Sequence, residues 1–227
     1  MRSHLLIVGS PLNDLSPLSP ETIDDIQACR LIIGESRKRT LSLLAKSGIR
    51  LGLESFIFLD HPDFQSLKQI IRDIAKGGGN IALLSDSGMP ILFDPGKEVL
   101  ELCKQLGFAI RTRPTATSWS TACAVSGFST PFLIHDFLPQ KTPDRAKILT
   151  SLKNREENIV LLETPYRFQL ILKEAIDTFG KDRQAFIAWQ IACIDEWYGW
   201  GTLSSLLEIS VKTLPKKGEF VLIIHHS

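Results

Sequence analysis

Short apolar runs alternate with longer segments of helical period along the chain, and this alternation restricts its fold more than any other feature. The apolar runs end at turn signals, which is typical of buried strands. The intervening segments place their apolar residues on one helical face, as at Phe64, Leu67, Ile71 and Ile74. Strands that alternate with helices predict an α/β protein. The predicted strands cover residues 4–9, 31–36, 80–86, 108–113, 131–138, 158–164, 184–191 and 219–226.

The helical segments include "SPETIDDIQAC", "KRTLSLLAKSG", "PDFQSLKQIIRDIAKGGG" and "TATSWSTACAVSG". The glycine run at 77–79 follows one of these helices and precedes a strand, which favours a helix C-cap over a linker. A domain boundary is predicted after Arg113, where a strand gives way to a Pro- and Ser/Thr-rich segment. We therefore expect two α/β lobes, residues 1–112 and 113–227, with mixed sheets flanked by helices.

Composition excludes several classes of function. The 26 basic and 25 acidic residues leave a net charge of +1, so the chain has no global positive field for tight non-specific binding of nucleic acid. Composition does not exclude a local basic patch that binds nucleic acid. No apolar run approaches the length of a membrane span, which predicts a cytoplasmic protein without membrane contact. The four cysteines have no CxxC spacing, so we expect packing residues and no metal site.

The segment "SDSGMPILFDPG" at 85–96 directly follows the apolar run "NIALL". Ligands of open α/β sheets bind beyond the carboxyl ends of strands, and this loop lies at such an end. Glycine allows the backbone to approach a ligand closely, and proline keeps its path rigid. A purely structural loop, with Asp86 and Asp94 as turn acceptors, is an equal alternative. Neither GxGxxG nor GxxxxGK[ST] occurs, which argues against a dinucleotide or polyphosphate site.

The chain contains, in this order, the segments "SPLNDLSPLS", "GESRKRTLSLL", "SDSGMPILFDPG", "FLPQKTPDR", "ETPYR", "GTLSSL" and "KGEFVLII". In these segments the sequence resembles the tetrapyrrole methylase superfamily of S-adenosylmethionine-dependent methyltransferases, most densely its branch that methylates small-subunit ribosomal RNA at a ribose 2′-oxygen. The resemblance spans essentially the whole chain. It implies a two-lobed homodimer that holds S-adenosylmethionine in the cleft between the lobes.

The resemblance also implies which residues contact the donor. The loop after the third predicted strand would line the methionine end, and the later strands would lie against the adenosine. Asp86 and Glu163 are the candidates for a general base that accepts the proton of a ribose hydroxyl; capping and loop ordering are the alternative roles for both. The implied donor-binding residues are Pro11, Ser85, Asp86, Ser87, Gly88, Met89, Thr117, Ser118, Glu163, Ile191 and Gly218.

Three departures from the related RNA methyltransferases leave the acceptor open. Thr115 stands where they have a glycine, Asn13 and Asp14 replace a glycine and an asparagine, and "WQIAC" (189–193) lacks their arginine, acid and lysine. Basic segments at 37–39, 141–147 and 216–217 are suited to phosphate contacts or are solvated helix faces. The expected partner is ribosomal RNA or the small ribosomal subunit. The alternatives are a methyltransferase acting on a tetrapyrrole or another small molecule, and a non-catalytic donor-binding module.

Overall fold

The computed structural model describes residues 3–13, 16–60 and 63–226; Asp14 of the first loop lies outside them. The chain divides into two compact units, residues 1–117 and 118–227. Each unit contains a five-stranded sheet flanked by helices, so the predicted α/β class is confirmed. Within the described ranges, none of the helices combines the length and the apolar character that a bilayer crossing needs.

The first unit is built on a sheet in which every strand pair is parallel. Its strand order is β3-β2-β4-β1-β5. The strands are β1 (His4–Val8), β2 (Leu31–Gly34), β3 (Phe56–Phe58), β4 (Ile81–Leu84) and β5 (Ala109–Arg113), and the helices are α1 (Pro20–Gln27), α2 (Arg37–Lys46), α3 (Phe64–Gly77) and α4 (Lys97–Gln105).

Both faces of this sheet are covered, which explains the continuous apolar runs of its strands. Alternate residues of β1 belong to separate clusters. Leu5 and Ile7 pack with residues of α3 and α4, whereas Leu6 and Val8 pack with residues of α1 and α2. The helix C-cap predicted at the glycine run is confirmed, because α3 ends at Gly77 and Gly78 caps it at φ +76°.

The second unit has a mixed sheet in the order β6-β7-β10-β8-β9, in which β6 and β7 are parallel and the other pairs antiparallel. One large cluster packs its helices α6, α7 and α8 against the sheet. The strands are β6 (Phe132–His135), β7 (Asn158–Glu163), β8 (Gln184–Trp189), β9 (Trp197–Thr202) and β10 (Phe220–Ile224), and the helices are α5 (Ser118–Ser126), α6 (Thr142–Leu152), α7 (Phe168–Phe179) and α8 (Leu203–Thr213).

Two strands, β3 and β9, were missing from the sequence prediction. β3 has only three residues, too few for an alternating pattern. β9 reads "WYGWGT", and its two glycines interrupt any apolar run. Several predicted ends were also too long. The second predicted strand reached residue 36, but Ser36 is the N-cap of α2, and the seventh reached Ile191, but β8 ends at Trp189.

Candidate functional site

Four loops of the first unit begin side by side at the carboxyl edge of its sheet. Val8 pairs with both Leu84 and Arg113, and Gly34 also pairs with Leu84. The loops that follow β1, β2, β4 and β5 therefore start at the same level. This register brings Pro11, the 85–89 segment and Thr117 to one edge of one sheet, which is where α/β proteins bind ligands.

The loop after β4 is fastened to the loop after β1. Ser10 and Gly88 exchange two backbone hydrogen bonds, of 2.8 and 2.9 Å. The Ser10 hydroxyl donates to the Ser85 carbonyl at 2.6 Å, and the Ser85 hydroxyl donates to the Gly88 carbonyl at 2.9 Å. Gly88 is buried with φ +70°, a conformation that L side chains rarely adopt. The loop is thus held in one shape by its own small polar residues.

The same loop continues through two further residues in left-handed conformations. Ile91 has φ +81° and Phe93 has φ +68°. Positive φ is a genuine outlier for a β-branched residue, and strain of this kind clusters at functional sites. The sequence signal was the density of proline and glycine around these residues, which marked the loop but not the strained positions.

Asp86 orders the start of α2. Its Oδ1 atom accepts hydrogen bonds from the backbone N–H of Ser36 at 3.1 Å and from the Ser36 hydroxyl at 2.9 Å. The Asp86 N–H in turn donates to Oε2 of Glu35 at 2.8 Å. Burial raises the pKa of Glu35, although the Asp86 N–H and the nearby Arg39 oppose this shift. Glu35 and Ser36 are therefore site residues that the sequence prediction missed, because it assigned both to a strand.

Thr115, the first departure noted in the sequence, is accommodated by a neighbouring glycine. A Cβ atom built on Gly9 would lie 2.5 Å from Cγ2 of Thr115 and 2.9 Å from Sδ of Met89. The glycine after β1 therefore provides the space that the threonine side chain occupies. Thr117 lies near the loop as well, since its Cγ2 would be 3.9 Å from a Cβ on Gly88.

A cavity of about 220 Å³ opens beside Asp86. It lies between one face of α2 and the loop after β1. Three cationic side chains and one carboxylate give its lining a net formal charge of +2. The lining residues are Ser10, Pro11, Asn13, Lys38, Arg39, Ser42, Leu43, Lys46 and Asp86. Two residues of the basic segment 37–39 thus line a concave surface.

Glu163, the other candidate base, is enclosed at the end of β7 in the second unit. Its side chain is fully buried, and Oε1 accepts from the Thr164 N–H and pairs with Arg167, each at 2.6 Å. Arg167 also donates to the carbonyls of Leu138 and Pro139. Oε2 of Glu163 is buried without a hydrogen-bond partner among the residues that the structure describes. These contacts give Glu163 a role in ordering the β7–α7 loop.

The remaining candidates of the second unit lie at strand ends or at a helix start. Phe220 pairs with both Glu163 and Trp189, so Gly218 and Ile191 lie at the same edge of the sheet as Glu163. Ser118 begins α5. A Cβ atom on Gly218 would lie within 2.1 Å of the Trp189 ring, so a side chain there would displace the tryptophan.

The sequence departure at "WQIAC" coincides with an unusual backbone. β8 stops at Trp189, and both Gln190 and Ala192 have positive φ, of 49° and 65°. Ile191 is buried between them. The segment is therefore a strained turn rather than the predicted strand end.

The expectation that the basic segment 141–147 contacts phosphate is wrong for Arg145. Arg145 of the 141–147 segment is 1% exposed and donates to both carboxylate oxygens of Glu174 at 2.6 Å. Arg145 therefore stabilises the fold and does not belong to a basic surface. Over the part of the chain that the structure describes, no group of three or more His, Cys, Asp or Glu side chains could hold a metal ion.

Comparison with known proteins gives matches over nearly the whole chain. A family model for tetrapyrrole (corrin/porphyrin) methylases matches residues 4–207. The ribosomal RNA small subunit methyltransferase I of Thermotoga maritima is 31% identical over 221 residues, which are 97% of each chain. The protein of that name from Bacillus subtilis is 29% identical over 224 residues, which are 98% of this chain and 75% of the relative.

Solved structures agree on the fold. A cobalamin biosynthetic enzyme, cobalt precorrin-4 methyltransferase, superimposes with a TM-score of 0.68 at 15% identity, covering 98% of this chain and 94% of that one. Uroporphyrin-III C-methyltransferase from Thermus thermophilus gives a TM-score of 0.62 at 14% identity, covering 99% and 94%.

Proposed function

Because the chain belongs to the tetrapyrrole (corrin/porphyrin) methylase family and is an S-adenosylmethionine-dependent methyltransferase, we propose that it methylates RNA of the small ribosomal subunit at a ribose 2′-hydroxyl. The names of its relatives support the RNA acceptor. The motifs of the sequence support the ribose oxygen. The two solved structures share too little sequence to bear on the acceptor, so they do not favour a tetrapyrrole.

The main support for the proposal is the loop after β4, which hydrogen bonds hold against the loop after β1. The residues proposed to hold the methionine end of the donor are Pro11, Ser85, Asp86, Ser87, Gly88, Met89 and Thr117. Gly88 fits such a role, because it is buried and its missing side chain leaves space in which a Cβ would meet, among the described residues, one atom within 4 Å. The donor carries a sulfonium and an ammonium cation, and the carboxyl groups of Glu35 and Asp86 next to this loop suit a positively charged ligand.

For the second unit we propose Ser118, Glu163, Ile191 and Gly218 as the residues that contact the adenosine. The unpartnered Oε2 of Glu163 supports a ligand there, because a buried carboxylate oxygen without a donor is costly. Since the side chain is fully buried, this contact requires the β7–α7 loop to move when the donor binds.

S-adenosylmethionine supplies an activated methyl group whose transfer is a single in-line displacement. The chain must align the acceptor oxygen and exclude water. It must also accept the proton of the ribose hydroxyl. We propose that Asp86 or Glu163 accepts this proton, and capping is the competing role for both.

The first test is calorimetric titration of the purified protein with S-adenosylmethionine and, separately, S-adenosylhomocysteine. Gly88→Val should abolish binding of both. Gly48→Val is the matched control, because Gly48 belongs to the same unit, has φ +75° and would have nothing within 4 Å of an added Cβ atom. Both variants carry the same backbone strain, so equal loss of binding in the two would contradict the proposed donor site.

The second test is transfer of a labelled methyl group to small ribosomal subunits. The proposal expects transfer that requires the intact protein and labels a ribose oxygen, which is read from the modified nucleoside after digestion. Donor binding without transfer would favour the non-catalytic module. Transfer to a small molecule with no dependence on salt would favour the second class of acceptor, since RNA binding weakens steeply with salt.

We also propose a cytoplasmic homodimer, on the strength of the resemblance. Cys29, Cys103 and Cys123 are free thiols in the structure, which suits a reducing compartment. Sedimentation at several protein concentrations measures the dimer directly, and a monomer at micromolar concentration would contradict this part of the proposal.

A further inference from the structure

The cavity beside Asp86 has a wall built from one face of α2. Lys38, Ser42 and Lys46 follow one another at intervals of four residues, so they lie above one another on the helix. Arg39 lies next to this row. The opposite wall comes from the loop after β1. Three basic side chains from two and a half turns of one helix therefore line the cavity.

The charge of this cavity fits an anionic ligand. Among the residues that the structure describes, Asp86, whose Oδ1 is bonded to Ser36, and Glu35, which interacts with Arg39, are acidic groups beside these cations. Asp86 is the acidic residue of the lining itself. An excess of basic groups in a concave wall attracts anions and disfavours cations.

The same charge argues against the methyl donor as the occupant. S-adenosylmethionine carries two cationic groups and one carboxylate near its reacting end, so its net charge there is positive. A wall with three cations would repel it, whereas the Glu35 carboxylate accepts a hydrogen bond from the donor loop at the Asp86 N–H.

The volume of the cavity limits which anionic ligands it can hold. The cavity of about 220 Å³ lies below the roughly 300–1,000 Å³ of pockets that enclose a whole small-molecule ligand. A tetrapyrrole is too large for it. A phosphate group with part of its sugar matches the volume, and Lys and Arg are the side chains that contact phosphate oxygens.

We propose that this cavity binds a backbone phosphate of the acceptor RNA, through Lys38 and Arg39 with Lys46 as the third cation. This inference rests on the proposed function, because it assumes an RNA acceptor. Pro11 and Asp86 belong both to the cavity lining and to the residues proposed to hold the donor, so the cavity borders the donor site. A phosphate held here therefore fixes one nucleotide at a set distance from the transferred methyl group.

The test compares wild type with the double variant Lys38→Ala/Arg39→Ala, using fluorescence anisotropy of a labelled single-stranded RNA at several salt concentrations. Each lost phosphate contact should reduce the slope of log K against log salt by about 0.7. The double variant should therefore lose between ~0.7 and ~1.4 of slope. Alanine favours helix, so α2 should persist.

The matched control is Arg72→Ala/Lys76→Ala. It removes the same charge from exposed positions of α3 in the same unit, away from the cavity. The control should keep the wild-type slope. Equal loss of slope in both variants would show a general charge effect and overturn the inference.

Titration with S-adenosylhomocysteine separates the two possible sources of the anionic group, an RNA phosphate and the donor carboxylate. Unchanged binding of S-adenosylhomocysteine with a reduced RNA slope supports the inference. Reduced binding of S-adenosylhomocysteine would assign the cavity to the donor and overturn it, as would an unchanged RNA slope. Failure of the proposed function is read from wild type alone, as absence of methyl transfer to small ribosomal subunits.

Discussion

The ion pair between Arg145 and Glu174 gives the sharpest prediction about stability. Arg145 lies in α6 and Glu174 in α7, and their side chains are 2% and 17% exposed. The guanidinium makes five hydrogen bonds. It donates twice to the Glu174 carboxylate, to the carbonyls of Pro139 and Gln140, and to the Thr142 hydroxyl. It therefore fastens two helices and the segment before α6 together.

Arg145→Met should destabilise the second unit by about 3–5 kcal/mol, because it leaves a largely buried carboxylate without its partner. Two backbone carbonyls lose their donor as well. Arg145→Lys keeps the charge but cannot reach both carboxylate oxygens and both carbonyls, so we expect an intermediate loss of about 1–3 kcal/mol. Arg145→Met combined with Glu174→Leu should recover part of the loss, since no buried charge is then left alone.

The chain offers a convenient assay for this prediction. Its four tryptophans, Trp119, Trp189, Trp197 and Trp200, all belong to the second unit. Urea unfolding followed by tryptophan fluorescence therefore reports that unit, whereas far-ultraviolet circular dichroism reports both. The two signals should separate in the variant, because only one unit is weakened.

Arg155→Ala removes an exposed ion pair with Glu157 in the same unit and should leave the fluorescence transition unchanged. A loss of less than ~1 kcal/mol in Arg145→Met would mean that the pair behaves like an exposed one. The assignment of Arg145 to the fold rather than to a ligand surface would then be wrong.

Ser36→Ala should destabilise the first unit by about 0.5–2 kcal/mol through loss of the α2 N-cap, measured by circular dichroism, and Ser36→Thr should restore it. Burial raises the pKa of the Cys29 and Cys103 thiols from 9.0 to about 12. As the pH rises, the unfolded chain therefore loses these protons before the folded chain does. The free energy of unfolding should consequently fall between pH 9.0 and about 12. The stability advantage of wild type over Cys103→Ala should therefore shrink above pH 9.0; a constant advantage would contradict this. Glu163→Gln should lower the stability of the second unit by about 1–3 kcal/mol, because Arg167 loses its charged acceptor; an unchanged fluorescence transition would refute it.

Most of the fold could be predicted from the sequence because the buried strands are continuous apolar runs. The runs at 4–9, 80–86 and 158–164 coincide with β1, β4 and β7. The two missed strands lack that signal: β3 is short, and β9 combines aromatic residues with Gly199 and Gly201. β9 is fixed by its pairing with β8, and such long-range pairing leaves no trace in local periodicity.

The candidate site was only partly predictable for a related reason. Turn residues identify the loop after β4, since proline and glycine act locally on the backbone. The bonds from Asp86 to Glu35 and Ser36 connect positions about 50 residues apart, and no spacing rule reveals them. The same holds for Thr115, whose side chain fits because Gly9 lies opposite to it in the neighbouring strand's loop.

Asp86 and Glu163 differ in burial and in their charged partners, and this difference favours Asp86 as the proton acceptor. In the second unit Glu163 is fully buried and paired with Arg167. Asp86 is half-buried and lines an open cavity in the first unit. A general base must come within hydrogen-bond reach of the hydroxyl that it deprotonates, which the buried carboxylate cannot do without loop movement. Methyl transfer that fails in Asp86→Asn but persists in Glu163→Gln, both measured at saturating S-adenosylmethionine, would agree with this reasoning. The opposite pattern would require the β7–α7 loop to open during the reaction.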